Sequence, residues 1–267
     1  MKKKMVLFLS LLVMLALACN LGSSPTSPVP VNTPEGNGNQ SGNASTPKTV
    51  ATPPANPVSI NEGLTSLNSY QMTVNYLSTG PAPSQSSAIV MKMKRSQDKD
   101  ARYLQITQST VKPGGGEPDT SETDTYQIGN DQCSGSGTDW TWTAMDPNQT
   151  EMLELLKNMI GLTPLIDNPT FVAQETVNGI PSNHFTFKVS GVGAKSGAVV
   201  NTNQGDYWLA VDGQYIVKYT LEIKTSMDPK TNVLDEQISI NLDQINQPVS
   251  IAFPKSCLVA SKVTPTP

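Results

Sequence analysis

The side chains of this chain that could do chemistry are few and far apart. The chain has one histidine, His184, and three cysteines, Cys19, Cys133 and Cys257. Hydrolysis by a serine or cysteine nucleophile uses a histidine as the base. His184 lies in the strand-like stretch NHFTFKV, where alternation places it on the face opposite to the phenylalanines. We therefore expect a solvent-facing strand histidine and a chain that is not an enzyme.

Metal and cofactor sites are not indicated either. A metal site needs a cluster of histidine, cysteine or carboxylate ligands, and the spacing of these residues provides none. Asp228 and Asp235 flank a turn but lack the spacing of an EF-hand loop. The glycines of KPGGGEP are not followed by the Lys-Ser/Thr pair of a phosphate-binding loop. The sequence predicts no metal and no cofactor.

Cys19 follows a segment with the order of an export signal. Three lysines precede an apolar run that only Ser10 interrupts, as in a secretory signal peptide. The run is shorter than the about 20 residues of a membrane span. LALAC resembles the lipobox of bacterial lipoproteins, although Ala16 and Leu17 are in swapped order. The resemblance implies a lipidated Cys19 and a location on the extracytoplasmic face of a cell membrane. The alternative is an ordinary signal peptide followed by a chance cysteine.

The charge of the chain excludes two kinds of partner. Residues 1–18 contain three lysines and no acidic residue, so their removal changes the formal charge from −4 to −7. An acidic chain has no electrostatic footprint for nucleic acid. It also lacks a polybasic patch for anionic lipid. Acyl chains on Cys19 would therefore hold it at the membrane.

Once Cys19 is set aside, two cysteines remain, which is the number needed for one disulfide. In an exported protein this favours a disulfide between Cys133 and Cys257, closing the C-terminal strand onto the strand that ends near Gly129. On the chain-entropy model, such a long loop contributes about 4–5 kcal/mol of stability. Two buried free thiols are the alternative.

Composition divides the chain into four segments. Residues 1–18 are the signal peptide, and residues 19–57 are the lipidated cysteine with a disordered tether rich in Pro, Ser, Thr and Asn. Such a composition cannot offset the entropy of folding. Residues 58–257 are long enough for one domain, and residues 258–267 are a disordered tail.

Two helices are indicated. Ser59 and Glu62 form a capping box, followed by apolar residues at helical spacing, although Gly63 weakens this helix. The second begins at Asp146 and ends at Gly161. Its apolar stripe comprises Met152, Leu155, Leu156, Met159 and Ile160. The stripe either packs against a sheet as core or lines an adaptable lipid-facing groove.

The rest of the domain reads as strands. Alternation or strand composition marks 70–77, 88–95, 102–110, 123–129, 140–142, 170–177, 183–189, 206–211, 215–224 and 234–242. The dipeptides Asn178-Gly179 and Asp212-Gly213 indicate tight hairpins. The predicted fold is α+β: a large curved antiparallel sheet with one or two helices on its concave face.

Four stretches in order carry a family resemblance: YQIGNDQCSGSGTDWTWTAMDP, ETVNGIPSNHFTFKV, GDYWLAVDGQYIVKYTLEI and INLDQINQPVSIAFP. Together they resemble the LolA-like fold and, within it, the LppX/LprG-type bacterial lipoproteins. The resemblance implies a half-barrel of about eleven strands around helices, an apolar cavity for acyl chains, and no catalysis. Cys133 stands where the family usually has tyrosine.

These expectations lead to one candidate site and two functions. The apolar faces of the first two strands and of the second helix can satisfy each other or a ligand between them. The expected cavity residues are Tyr70, Met72, Val74, Ile89, Met91, Met93, Met152, Leu155, Leu156 and Met159. The first function is a monomeric, membrane-anchored carrier of a lipid or other amphiphile. The alternative is an envelope sensor or adaptor that binds a protein partner and no small ligand.

Overall fold

Eleven antiparallel strands form one open sheet in the computed structural model, which describes residues 63–112, 114, 116–144, 166–189, 199–226 and 233–260. The strands are β1 (Ser69–Thr79), β2 (Ser87–Ser96), β3 (Ala101–Thr110), β4 (Asp119–Ile128), β5 (Asp131–Ser136), β6 (Asp139–Ala144), β7 (Ile166–Val177), β8 (Ile180–Val189), β9 (Val199–Ala210), β10 (Ile216–Ser226) and β11 (Val233–Asp243). A short helix, α1 (Lys255–Ala260), follows. The curved antiparallel sheet predicted from the sequence is confirmed.

Two meanders build the sheet. Its strand order is β6-β5-β4-β3-β2-β1-β11-β10-β9-β8-β7. The first and last strands of the chain therefore pair at its centre, and β6 and β7 are its two edges. Residues 145–165, which include the predicted helix stripe, lie outside the described residues, but they connect one edge of the sheet to the other.

The two hairpins predicted from turn dipeptides differ in the length of their loops. Asn178 and Gly179 have φ values of 53° and 80° and join β7 to β8 directly, as the sequence predicts. At Asp212-Gly213 the predicted hairpin forms between β9 and β10, with Gly213 at a φ of 89°, but its loop is longer than the two residues predicted. The loop spans residues 211–215 and is closed by a hydrogen bond from the Ala210 N–H to the Tyr215 carbonyl (2.9 Å).

The main core lies on one face of the sheet. Alternate residues of strands β1–β3 and β8–β11 supply it, and Leu64 and Leu67 from the segment before β1 pack against them. Gly63 is required there because a Cβ at this position would lie 2.6 Å from the Cβ of Tyr215. The glycine that weakens a helix in the sequence thus permits close packing in the fold.

A smaller cluster lies on the opposite face, over β3–β6. Val249 and Ile251 pack there with Tyr103 and Tyr126, and the rings of Trp142 and Phe253 are 4.7 Å apart. This cluster holds the chain after β11 against the sheet. Helix α1 continues to Ala260, beyond the predicted domain boundary at residue 257.

Cys133 and Cys257 form a disulfide, with Cα atoms 5.9 Å apart and both side chains fully buried. The pairing is the one that the sequence predicts, but its setting differs. Cys133 lies in β5, after Gly129, and Cys257 lies in α1 rather than in a strand. The bond therefore fixes the C-terminal helix to the sheet.

Candidate functional site

The six predicted cavity residues of the first two strands share one face of the sheet. Across the β1–β2 ladder, Met72 is opposite Met93 and Val74 is opposite Met91. All are buried apart from the half-buried Ile89: Tyr70, Met72, Val74, Ile89, Met91 and Met93. The predicted wall opposite them, Met152, Leu155, Leu156 and Met159, lies outside the described residues, as does Cys19. That these ten residues line a ligand cavity stays a prediction.

The same face extends much farther than the six residues predicted from the sequence. The residues paired with these six across the sheet continue the same face from β1 onto β11, β10, β9 and β8. Its buried members on these strands include Ile240, Leu242, Tyr219, Leu221, Tyr207, Phe185 and Phe187. The alternation within YTLEI and ISINL is the signal that could have added them. We call this surface, from β2 to β8, the apolar face.

Aromatic rings form a continuous row on the apolar face. Phe185 stacks on Tyr207 with centroids 5.0 Å apart, and Phe187 lies 5.3 Å from Tyr219. Gly205 is opposite Phe187, and a Cβ there would lie 2.4 Å from the phenylalanine ring. Glycine at this position therefore lets the Phe187 ring lie across β9.

Tyr219 is the exceptional polar group of this face. Its side chain is fully buried, and its hydroxyl has no hydrogen-bond partner. Burial raises the pKa of Tyr219 far above its usual value of 10, so the group is a neutral hydroxyl that can donate one hydrogen bond. Buried hydroxyls are normally satisfied, which makes this donor a candidate for contact with a ligand.

His184 lies on the other face, as alternation predicts, but it is not simply a solvent-facing residue. Its Nδ1 lies 3.1 Å from Glu175 Oε1 and its Nε2 lies 2.8 Å from Asp206 Oδ1. The imidazole also stacks on Trp208 at 4.4 Å. The side chain is only 17% exposed, so the expectation of a solvent-facing histidine is wrong. Strands β7 and β9, on either side of β8, supply its partners, which local sequence does not reveal.

The Nζ of Lys218 lies 4.5 Å from the centroid of Trp208. Since β9 lies between β8 and β10, the indole is flanked by His184 on one strand and Lys218 on the other. The Nε1 of Trp208 donates to Glu175 Oε1 at 2.6 Å. These contacts give this face of the sheet a fixed polar and aromatic cluster.

A cavity of about 500 Å³, open to solvent, lies on the same polar side of the sheet. Two consecutive rows of residues across β1, β11, β10 and β9 supply eight of its ten lining residues, and Leu221 and Ile238 supply the other two. The first row comprises Asn75, Ser239, Thr220 and Asp206. The second row comprises Leu77, Gln237, Glu222 and Gln204. We call this cavity the polar groove, and none of the ten predicted cavity residues lines it.

Within the described ranges, no group of three or more histidine, cysteine or acidic side chains is placed to hold a metal ion. No helix in the same part of the chain has the length and apolar character to cross a bilayer.

This chain is similar to known proteins in its fold. No model of a known protein family matches the chain, nor does any curated sequence. Among solved structures, the lipoprotein LppX of Mycobacterium tuberculosis is similar, with 16% identity over 72% of this chain and 93% of that one and a TM-score of 0.34.

Two other solved structures are similar over nearly the same share of this chain. LprF of Mycobacterium bovis has 12% identity over 73% of this chain and 94% of that one, with a TM-score of 0.37. A LolA-superfamily protein of Nitrosomonas europaea has 9% identity over 71% and 89%, with a TM-score of 0.23. The single open and curled sheet of eleven antiparallel strands is itself the arrangement of the LolA-like half-barrel fold.

Proposed function

We propose that this chain is an extracytoplasmic lipoprotein that binds a lipid or other amphiphile on its apolar face. The observation that carries the proposal is the buried hydroxyl of Tyr219, which has no hydrogen-bond partner. Leaving a buried donor unsatisfied costs about 1–3 kcal/mol. A phenylalanine at this position would avoid the cost. The presence of tyrosine is explained if its hydroxyl donates a hydrogen bond to an ester or hydroxyl oxygen of a bound amphiphile.

The surroundings of Tyr219 suit such a ligand. Leu221, Ile240 and the other buried side chains of the apolar face provide dispersion contacts for hydrocarbon, and Met72, Met91 and Met93 add unbranched, adaptable side chains. We further propose that Met152, Leu155, Leu156 and Met159 supply the opposite wall. The connection from edge to edge of the sheet, in which they lie, supports this placement.

The proposed activity is binding without catalysis. Both ring nitrogens of His184 contact carboxylate oxygens, which leaves neither nitrogen for a nucleophile. Anchoring through Cys19 and a monomeric state complete the proposal. The order of basic, apolar and small residues before Cys19 supports the anchor.

Native mass spectrometry tests the binding. The full chain with Cys19→Ala, exported and purified without detergent, is expected to carry an extra mass that denaturation releases and that extraction identifies as an amphiphile. Tyr219→Phe should reduce the loaded fraction, whereas Tyr76→Phe, whose hydroxyl contacts Glu236 instead, should not. Bare polypeptide mass for every protein would contradict the proposal.

An adaptor function is the second candidate. It is favoured by the close burial of the apolar face, where Tyr70, Tyr207 and Phe185 are fully buried. Side chains that already satisfy one another need no ligand. The adaptor function would replace the carrier function under two conditions. The unloaded protein would be as stable as any loaded fraction, and a protein partner would co-purify with it from the envelope.

A further inference from the structure

We propose that the polar groove binds a neutral carbohydrate chain. The groove lies on the face opposite to the apolar face, although Leu221 and Ile238 of the apolar face also belong to its lining. The inference does not depend on the amphiphile proposal, because it uses only the eight lining residues of the two polar-side rows. It rests on the hydrogen-bonding capacity, the charge and the rigidity of the two rows of residues.

The lining matches the hydroxyl groups of a sugar. Amide and hydroxyl side chains both donate and accept hydrogen bonds, as sugar hydroxyls do. In the described part of the chain, the side chains of Gln204 and Thr220 make no hydrogen bond, although they lie in adjacent rows of the groove. Asn75 donates to Ser239 Oγ at 3.1 Å, which leaves further donor and acceptor capacity on both. A polyhydroxylated ligand can satisfy these groups together.

The charges in the groove select against other ligand classes. The Oδ1 of Asp206 lies 2.8 Å from the Nε2 of His184. The carboxylate of Glu222 forms a salt bridge with Lys224. An anionic ligand would face these two carboxylates. A cationic ligand would have to compete with partners already present, and an apolar ligand would desolvate polar groups without replacing their hydrogen bonds. A neutral, polar ligand avoids all three costs.

One wall of the groove is preorganised. The carboxylate of Asp206 is oriented by His184, which Glu175 and the stacked Trp208 hold in place. An acceptor fixed before binding loses less conformational entropy when the ligand arrives. On β1, the 41% exposed side chain of Leu77 offers an apolar contact for the C–H groups of a sugar ring.

The dimensions also agree. The groove volume of about 500 Å³ is within the range of about 300–1,000 Å³ that is typical of small-molecule sites. Because the groove is open and is lined by four neighbouring strands, it can accommodate part of a longer chain that continues on either side. The described residues that line the groove include no aromatic side chain, so we expect weak binding.

Saturation-transfer NMR tests the proposal on the full chain with Cys19→Ala. The probes are cellohexaose, maltohexaose and mannohexaose at millimolar concentration. We expect at least one of them to receive saturation from the protein, with an affinity that falls at least fivefold in Gln204→Ala and in Asp206→Asn. Gln174→Ala on edge strand β7, outside the groove, is the matched control and should bind normally. Circular dichroism confirms that each variant is folded.

Three results would overturn the inference. One is the absence of transfer to all three sugars. Another is transfer that is unchanged in Gln204→Ala and Asp206→Asn, which would place the sugar elsewhere. The third is binding of spermidine without binding of any hexasaccharide, which would identify the groove as a site for cations. None of these results bears on the loading of the apolar face, which the Tyr219→Phe experiment measures separately.

Discussion

The side-chain amide of Asn178, in the turn between β7 and β8, donates a hydrogen bond of 2.7 Å to the carbonyl oxygen of Leu242 in β11. It also lies 3.0 Å from Asn241 Oδ1. Strands β9 and β10 separate β8 from β11 in the sheet. The contact is therefore possible only because the sheet curls, and one asparagine joins an edge hairpin to a central strand.

Two substitutions separate the roles of Asn178. Asn178→Gly keeps the left-handed φ of 53° and removes only the hydrogen bonds, so we expect a loss of about 1–2 kcal/mol of unfolding free energy. Asn178→Ala adds the left-handed strain of about 1–2 kcal/mol and should be the less stable variant. Urea unfolding measures both, and equal stabilities would show that the turn does not require a left-handed residue.

The disulfide should matter most for the C-terminal segment. Cys133→Ala with Cys257→Ala removes a link between residues separated by 124 positions, which on the chain-entropy model costs about 4–5 kcal/mol. Apart from the backbone, helix α1 has no other covalent tie to the sheet. We therefore expect amides of residues 255–260 to exchange faster by hydrogen-exchange mass spectrometry, while β1 and β11 remain protected at low temperature. Uniform loss of protection would mean that the segment and the sheet unfold together.

Local sequence predicts the strands that alternate and misses those that do not. Alternation and composition indicate ten of the eleven strands in the described part of the chain, because a half-buried strand shows its two faces in its sequence. β5 (DQCSGS) was missed because small and polar residues dominate it, and only its pairing with β4 and β6 makes it a strand. β9 starts at Val199 rather than at Asp206 for the same reason.

The site is less predictable because it depends on register between distant strands. Met72 and Met93 were placed on one face from their own strands, which is a local property. The contacts of His184 with Glu175 and Asp206 require the pairing of β7, β8 and β9, and the polar groove requires two rows across four strands. No spacing in the sequence encodes those rows.

Cys19 is the residue on which the anchoring proposal depends. We expect wild-type protein to fractionate with membranes and to carry acyl chains, and Cys19→Ala to be found in the soluble extracytoplasmic fraction. The physical reason is that the acidic chain has no basic patch for anionic lipid, whereas acylation with more than one chain gives stable attachment. Cys19→Ser with the same outcome would show that the thiol is needed. Membrane attachment that survives both substitutions would contradict the proposal.

Stability should fall in alkali above about pH 10. Burial raises the pKa of Tyr207 and Tyr219 above the usual 10, and for Tyr76 burial and the nearby Glu236 act in the same direction. A raised pKa in the folded state means that the unfolded chain loses these protons first. The corresponding stability is present below pH 10 and is lost as the pH rises toward the folded-state pKa values. Tyrosinate absorbance at 295 nm should therefore appear together with unfolding, rather than before it as for exposed tyrosines.

The same hydroxyl that carries the amphiphile proposal makes a prediction for the empty protein. In the absence of ligand, Tyr219→Phe removes a buried donor without a partner and should raise the unfolding free energy by about 1 kcal/mol. Tyr76→Phe is the matched control: its hydroxyl lies 2.7 Å from Glu236 Oε1, so its removal should lower stability by about 1 kcal/mol or more. The measurement is urea unfolding of protein stripped of ligand by denaturation and refolding. If Tyr219→Phe is stabilised when empty and loads less amphiphile, the hydroxyl is kept for binding. If the variant is instead destabilised, the hydroxyl has a structural partner and the proposal loses its main support.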